Sequence, residues 1–355
     1  MALEEIRNNR IKKLEKIREA GQNPYPAESK RTHKISEVVL DFENLARENK
    51  EITLTGRVRL SRGHGGSAFL RLEDESGNFQ IFSKRDELGE KEYKLLHDVL
   101  DIGDFLEASG TLFLTQKGEK TLLLKSYKIL SKTLLPLPDK WHGLSDTEER
   151  FRKRYLDLIM NEEAREIFRK RGLFLMSIRE FFKDNNFLEV ETPVLEDVPG
   201  GADAEPFITH HNVLDKDFYL RISLELHLKR LIVGGYENVF EIGKVFRNEG
   251  MDTEHLQEFT MLEFYSAYKD YNWVMDFCEK MYKYSIKNVF GSLQTGGLDF
   301  SGAWPRIDYF EIFYEKTGVD LNIANKELLC KKVREMNIPN IDLNAGFGRV
   351  IDQVY

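Results

Sequence analysis

Between positions 246 and 268 the chain reads FRNEGMDTEHLQEFTMLEFYSAY, with Arg247, Glu249, His255, Phe259, Glu263 and Tyr265 set among alternating apolar residues. An unpaired charge buried in a strand costs several kcal/mol, roughly, so a partner is required for each of these groups. Arg247 offers a two-pronged fork for a phosphate or carboxylate. Phe259 offers a stacking surface, and Glu263 with Tyr265 offers acceptors for an ammonium. Together they have the parts to bind an anion beside an aromatic ring, and a cation beside carboxylates. A cross-strand salt bridge on a solvated face uses the same residue types, and types alone leave both readings open.

Two strands must position these groups. NVFEIGKVFR and EFTMLEFYSA flank the polar loop NEGMDTEHLQ, which predicts an antiparallel hairpin with a long loop. Alternation puts Glu241, Gly243, Val245 and Arg247 on one face with Phe259, Met261, Glu263, Tyr265 and Ala267. Phe240, Ile242, Phe246, Leu262 and Phe264 lie on the other, with Lys244 the exception. The second face is expected to pack on a core and the first to meet a polar partner. Gly243 would let a planar group approach the backbone there.

The rest of the chain divides into blocks. Residues 3–20 form an amphipathic, charge-laced helix stopped by Gly21 and the NPYP turn. EITLTGRVRL, SAFLRLED and NFQIFS read as strands, EKEYKLLHDVL as a helix, and DFLEASGTLFL and TLLLKSYKIL as two further strands. That order is the order of an OB barrel, a fold that binds oligonucleotides, and it also fits a generic small β-barrel. LLPLPDKWHGL reads as a stiff connector. Helices follow at 147–160 and 164–185, FLEVETPVL reads as a strand ended by Pro193, and LELHLKRLIV as a helix stopped by Gly234–Gly235. The domains are expected at 1–50 (helical extension), 51–136 (barrel), 137–150 (connector) and 151–355. A net charge of −8 argues against a simple basic nucleic-acid binder, although a local patch such as Arg150, Arg152, Lys153 and Arg154 escapes that argument. The apolar runs are far too short to span a bilayer, and the N-terminus has no signal-like apolar segment. Cys278 and Cys330 have no CxxC company, so the cytoplasm is the expected compartment.

Phe246-Arg247-x-Glu249 followed by His255-x-x-x-Phe259 resembles motif 2 of the class II aminoacyl-tRNA synthetases, and NNFLEVETP (185–193) resembles motif 1, whose proline lies at the dimer interface. Within that class LPDKWHGLSDTEERFRKRYLDLI, PGGADAEPFITHHNVLD and YLRISLELHLKRLIVGGYENVFEI look like bacterial-type lysyl-tRNA synthetases, over essentially the whole chain. The resemblance implies an α+β chain: a five-stranded OB-fold β-barrel, then a class II antiparallel β-sheet domain flanked by helices, incomplete at its C-terminal end. It implies ATP with Mg2+, lysine and tRNA(Lys) as ligands, and a homodimer with no membrane association. Residue by residue, Arg247 would hold the α-phosphate of ATP and the amino-acid carboxylate. Phe259 would stack on adenine, Glu249 would read its amino group, and His255 would reach the outer phosphates. Gly201 and Glu225 would hold the lysine α-amino group, with Glu263 and Tyr265 facing its side chain. Arg62, Phe69 and Gln80 would contact the anticodon, with Phe69 stacking a splayed base. Pro193 would mark the dimer interface. The basic patch at 150–154 falls in a linker stretch, so it is expected to pack rather than to touch RNA.

Two departures stand out. Lysyl enzymes read His-Asn-Pro-Glu-Phe-Thr in the motif 2 loop, and HLQEFT (255–260) is closer to aspartyl and asparaginyl types. No match to motif 3, or to the acidic stretch that holds magnesium, occurs in 355 residues. The metal ligands are therefore expected beyond Tyr355, and the chain as given is expected to make lysyl-adenylate poorly. The sequence thus predicts a lysine–tRNA ligase lacking motif 3. Its rivals are a non-catalytic anticodon-binding module and a related ligase of aspartyl or asparaginyl type.

Overall fold

The computed structural model describes residues 3–138, 144, 146–250, 252, 255–339 and 341–354, and the chain falls into two compact units, Met1–Ala164 and Arg165–Tyr355. Part of the expected connector (139–143 and 145) and of the hairpin loop (251, 253 and 254) lies outside the described residues.

The first unit opens with helices α1 (Leu3–Glu19), α2 (Ile35–Leu40) and α3 (Phe42–Glu48). Strands β1 (Ile52–His64), β2 (Ser67–Asp74) and β3 (Gly77–Lys84) follow, then α4 (Arg85–Leu88), α5 (Glu90–Val99), β4 (Phe105–Leu114) and β5 (Lys120–Ser131). The strands close into a barrel in the order β1-β2-β3-β5-β4, with β3 and β5 parallel and the other pairs antiparallel. This is the OB fold, which the strand order allowed and the family resemblance implied. Alternation decides what faces inward: Leu54, Val58, Leu70, Leu72, Ile81, Leu106, Leu122 and Leu124 fill the interior. A bulge at Ser109/Gly110 bends β4 around the barrel. A Cβ on Gly110 would lie 1.8 Å from the Leu123 carbonyl oxygen, so only glycine fits there.

Buried charge ties α1 to the barrel. Arg10 Nη1 donates to the Leu135 carbonyl and Thr133 Oγ1 at 2.9 and 3.0 Å, and Lys13 donates to Asp101 at 2.7 Å. Lys132, fully buried, bonds Asp101 and lies 2.8 Å from the equally buried Asp104. The stretch expected as one helix over 147–160 is two, α6 (Thr147–Arg152) and α7 (Arg154–Met160). Lys153 (φ −115, ψ 47) leaves helical space between them. The basic patch is neutralised locally. Arg150 and Arg154 both hold buried Asp157, Arg152 pairs with Glu148, and Lys153 pairs with Glu149.

Helix α8 (Glu162–Asp184) leads into the second unit, followed by β6 (Leu188–Glu189), β7 (Leu195–Glu196), β8 (Ile208–His211), β9 (Lys216–Leu220), α9 (Glu225–Val233), β10 (Asn238–Phe246) and β11 (Glu258–Ser266). Then come α10 (Tyr271–Phe290), β12 (Gln294–Thr295), β13 (Leu298–Asp299), α11 (Tyr309–Thr317), α12 (Lys326–Met336) and α13 (Phe347–Val354). One sheet runs β11-β10-β6 and another β7-β9-β8. FLEVETPVL holds a strand that ends before Pro193, as expected, but that strand is only two residues long and a second begins beyond the proline. It supplies β6 to one sheet and β7 to the other. Pro193 has no N–H to continue a ladder, and the Thr192 carbonyl accepts instead from the Arg221 guanidinium at 3.0 Å. The hairpin β10–β11 forms as expected and keeps the expected faces, and its register sets Glu241 opposite Glu263 and Val245 opposite Phe259. Phe240, Ile242, Leu262 and Phe264 pack against Phe181, Phe182 and Phe277 of α8 and α10, as their face predicted. Phe313, Leu329, Val333 and Val350 form a separate cluster among the last three helices.

Candidate active site and nucleic-acid face

The other face of the hairpin is less polar than expected. Leu224 and Leu228 of the α9 segment cover Val239, Val245, Phe259, Met261 and Tyr265. The charges on this face sort into those with protein partners and those without.

Glu241 has partners throughout. Arg221 Nη1 donates to its Oε1 at 2.7 Å and Thr192 Oγ1 to its Oε2 at 2.6 Å. The planar group that approaches Gly243 is this same guanidinium, because a Cβ there would meet Arg221 Nη2 at 2.2 Å. Residue types left room for a planar group at Gly243, and the protein supplies that group itself.

Glu263 is half committed. Its Oε1 accepts from Ser223 Oγ and the Leu224 N–H, both at 2.9 Å, at the start of α9. Its Oε2 accepts from the Tyr265 hydroxyl at 3.3 Å. Burial pushes the Tyr265 phenol well above its ordinary range, and the charges of Glu263 and Glu225 push it further, so the phenol stays a donor. Gly201 sits at φ +86, and a Cβ on it would lie 2.6 Å from Ser223 Oγ and 2.9 Å from Glu225 Cβ. A glycine is thus needed for its backbone to approach Glu225. Gly201, Glu225, Glu263 and Tyr265 therefore gather at one end of α9. Lys229 pairs with Glu225 at 2.6 Å and lies 5.9 Å from the Tyr265 ring centroid. Two carboxylates around a phenol suit a positively charged ligand.

Arg247 follows the last residue of β10, and its backbone N–H bonds the Gln257 carbonyl at 2.9 Å. The guanidinium carbon lies 5.3 Å from the Phe259 ring centroid. Its Nε is buried and has no hydrogen-bond partner among the described residues. A buried donor left unmade costs roughly 1–3 kcal/mol, and an oxyanion is the group that satisfies it. In the loop, Glu249 Oε1 accepts from the Glu205 N–H at 3.3 Å, and Asn248 N–H bonds the Glu205 carbonyl at 2.7 Å. Exposed His255 bonds Asp252 at 2.8 Å. Pro193 lies exposed on the turn between β6 and β7.

On the barrel, Phe69 points outward between inward-facing Ala68 and Leu70. Its ring is 40% exposed and 4.7 Å from that of Phe82. Arg62 stands opposite Phe69 in the β1–β2 register and is exposed. Gln80 lies on the same outer face, and in the orientation that satisfies its neighbours its amide donates to Glu119 at 3.1 and 3.2 Å and accepts from Thr121 at 2.9 Å. A ring and polar groups on the outside of a barrel are what unstacked bases need.

The residues that sequence reasoning missed are Arg221, Ser223 and Glu205. Arg221 carries the same signal that marked the hairpin, a charge within a strand-like run, YLRIS.

Comparison with known proteins bears on both units. Residues 146–339 match the family "tRNA synthetases class II (D, K and N)", and residues 52–130 match the family "OB-fold nucleic acid binding domain". The lysine–tRNA ligase of Roseiflexus castenholzii is 46% identical over 361 residues, covering 100% of this chain and 74% of the relative. That of Carboxydothermus hydrogenoformans is 44% identical, covering 99% and 72%. The Thermoanaerobacter sp. enzyme is 46% identical, covering 99% and 71%. With the class II match across 146–339 and this identity along the chain, the protein belongs to the class II aminoacyl-tRNA synthetases, among the lysine–tRNA ligases.

Proposed function

We propose that the α9–hairpin face binds ATP and lysine and is the site of lysyl-adenylate formation, slow in the chain as given, and that the barrel holds the anticodon of tRNA(Lys). The observation that carries the reading is Arg247, whose buried Nε, beside the Phe259 ring, has no hydrogen-bond partner among the described residues. In the reaction the lysine carboxylate oxygen attacks the α-phosphorus, the bond to the β-phosphate breaks, and pyrophosphate leaves with that electron pair. No covalent enzyme intermediate and no general base is required, so the protein's task is positioning and charge stabilisation.

Arg247 bridges the α-phosphate and the carboxylate, stabilising charge that grows as the phosphorus becomes pentacoordinate. Phe259 stacks on adenine, Glu249 accepts from its amino group, and His255 reaches the outer phosphates. The Gly201 backbone and Glu225 take the α-amino group, while Glu263 and Tyr265 face the side-chain ammonium. Magnesium accompanies ATP in this chemistry. Among the described residues no three His, Cys, Asp or Glu side chains stand together to hold an ion, and we assign it no ligands. Arg62, Phe69 and Gln80 read the anticodon. Exposed Pro193, with Val194, Leu195 and Val198 beside it, faces a second copy of the chain. No helix among the described residues is long and apolar enough to cross a membrane, and the reaction belongs in the cytoplasm, where tRNA is charged.

The test is calorimetric binding of lysyl-sulfamoyl-adenosine, a non-hydrolysable adenylate analogue, beside its aspartyl counterpart. The lysyl compound should bind and the aspartyl compound should not. Arg247→Ala should weaken binding about 10- to 150-fold, since hydrogen bonds to charged groups contribute about 1.5–3 kcal/mol. Preference for the aspartyl compound would overturn the choice of lysine, and binding of neither would overturn the site.

A further inference from the structure

The Arg221 side chain is only 4% exposed, yet it joins two separate chain segments, the stretch at Thr192 and strand β10. Its Nε donates to the Lys244 carbonyl at 2.8 Å, and its Nη1 to the Thr192 carbonyl at 3.0 Å, Thr192 Oγ1 at 3.2 Å and Glu241 Oε1 at 2.7 Å. Its backbone does the same: Arg221 N–H bonds the Val194 carbonyl, and the Phe246 N–H bonds the Arg221 carbonyl, both at 2.9 Å. These contacts straddle Pro193 on one side and end one residue before Arg247 on the other. Gly243 leaves the space in which the guanidinium lies against β10.

We propose that Arg221 is a positioning residue for adenylate formation, locking the turn that carries Pro193 to the end of the strand that carries Arg247. The proposal rests on the reading of Arg247 given above. A planar guanidinium with donors fixed in a fork holds its acceptors in one relative geometry, which a flexible ammonium does not. A buried ion pair adds little net stability over apolar groups of similar volume, whereas one partner left alone is strongly destabilising. Stability and positioning therefore separate experimentally.

The test compares Arg221→Met, the double variant Arg221→Met/Glu241→Leu, and Thr192→Val by thermal melting and by binding of lysyl-sulfamoyl-adenosine. Arg221→Met should melt early. The double variant should regain most of the lost melting temperature and still bind the analogue at least tenfold more weakly than the wild type. Thr192→Val removes only the hydroxyl between the two charges, and it should weaken binding several-fold while lowering the melting temperature less than Arg221→Met does. Arg221→Lys should not restore affinity. If the double variant or Thr192→Val binds as tightly as the wild type, Arg221 is structural only and the proposal fails. If wild-type binding is insensitive to Arg247→Ala, the site reading fails, and this proposal falls with it.

Discussion

Phe69→Ala separates an RNA-stacking ring from a packing ring. Phe69 lies on the outer surface of the barrel, 40% exposed, with one aromatic neighbour at 4.7 Å. Full burial of a phenylalanine side chain is worth about 1.5–3 kcal/mol, so this partly exposed ring contributes about 1–2 kcal/mol to folding. Stacking of a base on an aromatic ring is worth about 1–3 kcal/mol by alanine substitution. Loss of that contact corresponds to a roughly 5- to 150-fold rise in Kd. The assay is fluorescence anisotropy of a labelled tRNA(Lys) anticodon stem–loop at several salt concentrations, with thermal melting alongside. Phe69→Ala should weaken binding within that range while the protein stays folded. The salt slope should not change, because no phosphate contact is removed. Phe69→Tyr should bind nearly as the wild type does. A folded Phe69→Ala protein that binds within twofold of the wild type would refute the argument and leave Phe69 as packing.

Lys132→Met should cost about 3–5 kcal/mol in urea unfolding, because it strands the fully buried Asp104 without its cation. Arg247→Ala should not lower the melting temperature even as it weakens adenylate-analogue binding, since it removes a buried donor that has no partner among the described residues. The pH dependence should show Asp101. Burial pushes its carboxyl up, but bonds from Lys13 and Lys132 outweigh burial and hold it below its ordinary range. Its folded pKa is thus lower than its unfolded one, so its stabilising contribution is present above the unfolded value, about pH 4, and is lost as pH falls through the folded value. In acid unfolding followed by circular dichroism, Asp101→Asn should flatten the loss of stability below about pH 4. An unchanged acid limb would show that the Asp101 cluster does not govern it.

Much of the architecture was legible because strand alternation is a local property. The five barrel strands, the two strands of the hairpin and the apolar face of Phe240, Ile242, Leu262 and Phe264 all follow from a period of two. The same pattern found the strand before Pro193 but not β7 after it, because one-dimensional alternation carries no information on which sheet each half joins. It was equally silent on α2 and α3, whose short runs show too little periodicity.

At the site, residue types determined which chemistry was possible: a fork for an anion, a ring to stack, and carboxylates for a cation. Only the tertiary structure decided which of those groups the protein keeps for itself. Glu241 is taken by Arg221 and Thr192, and half of Glu263 by the start of α9, whereas Arg247 keeps a buried donor without a partner among the described residues. The physical reason is that a charge's partner is set by proximity across the fold. Arg221 and Glu241 lie twenty residues apart in sequence and 2.7 Å apart in space, and no local pattern encodes that distance.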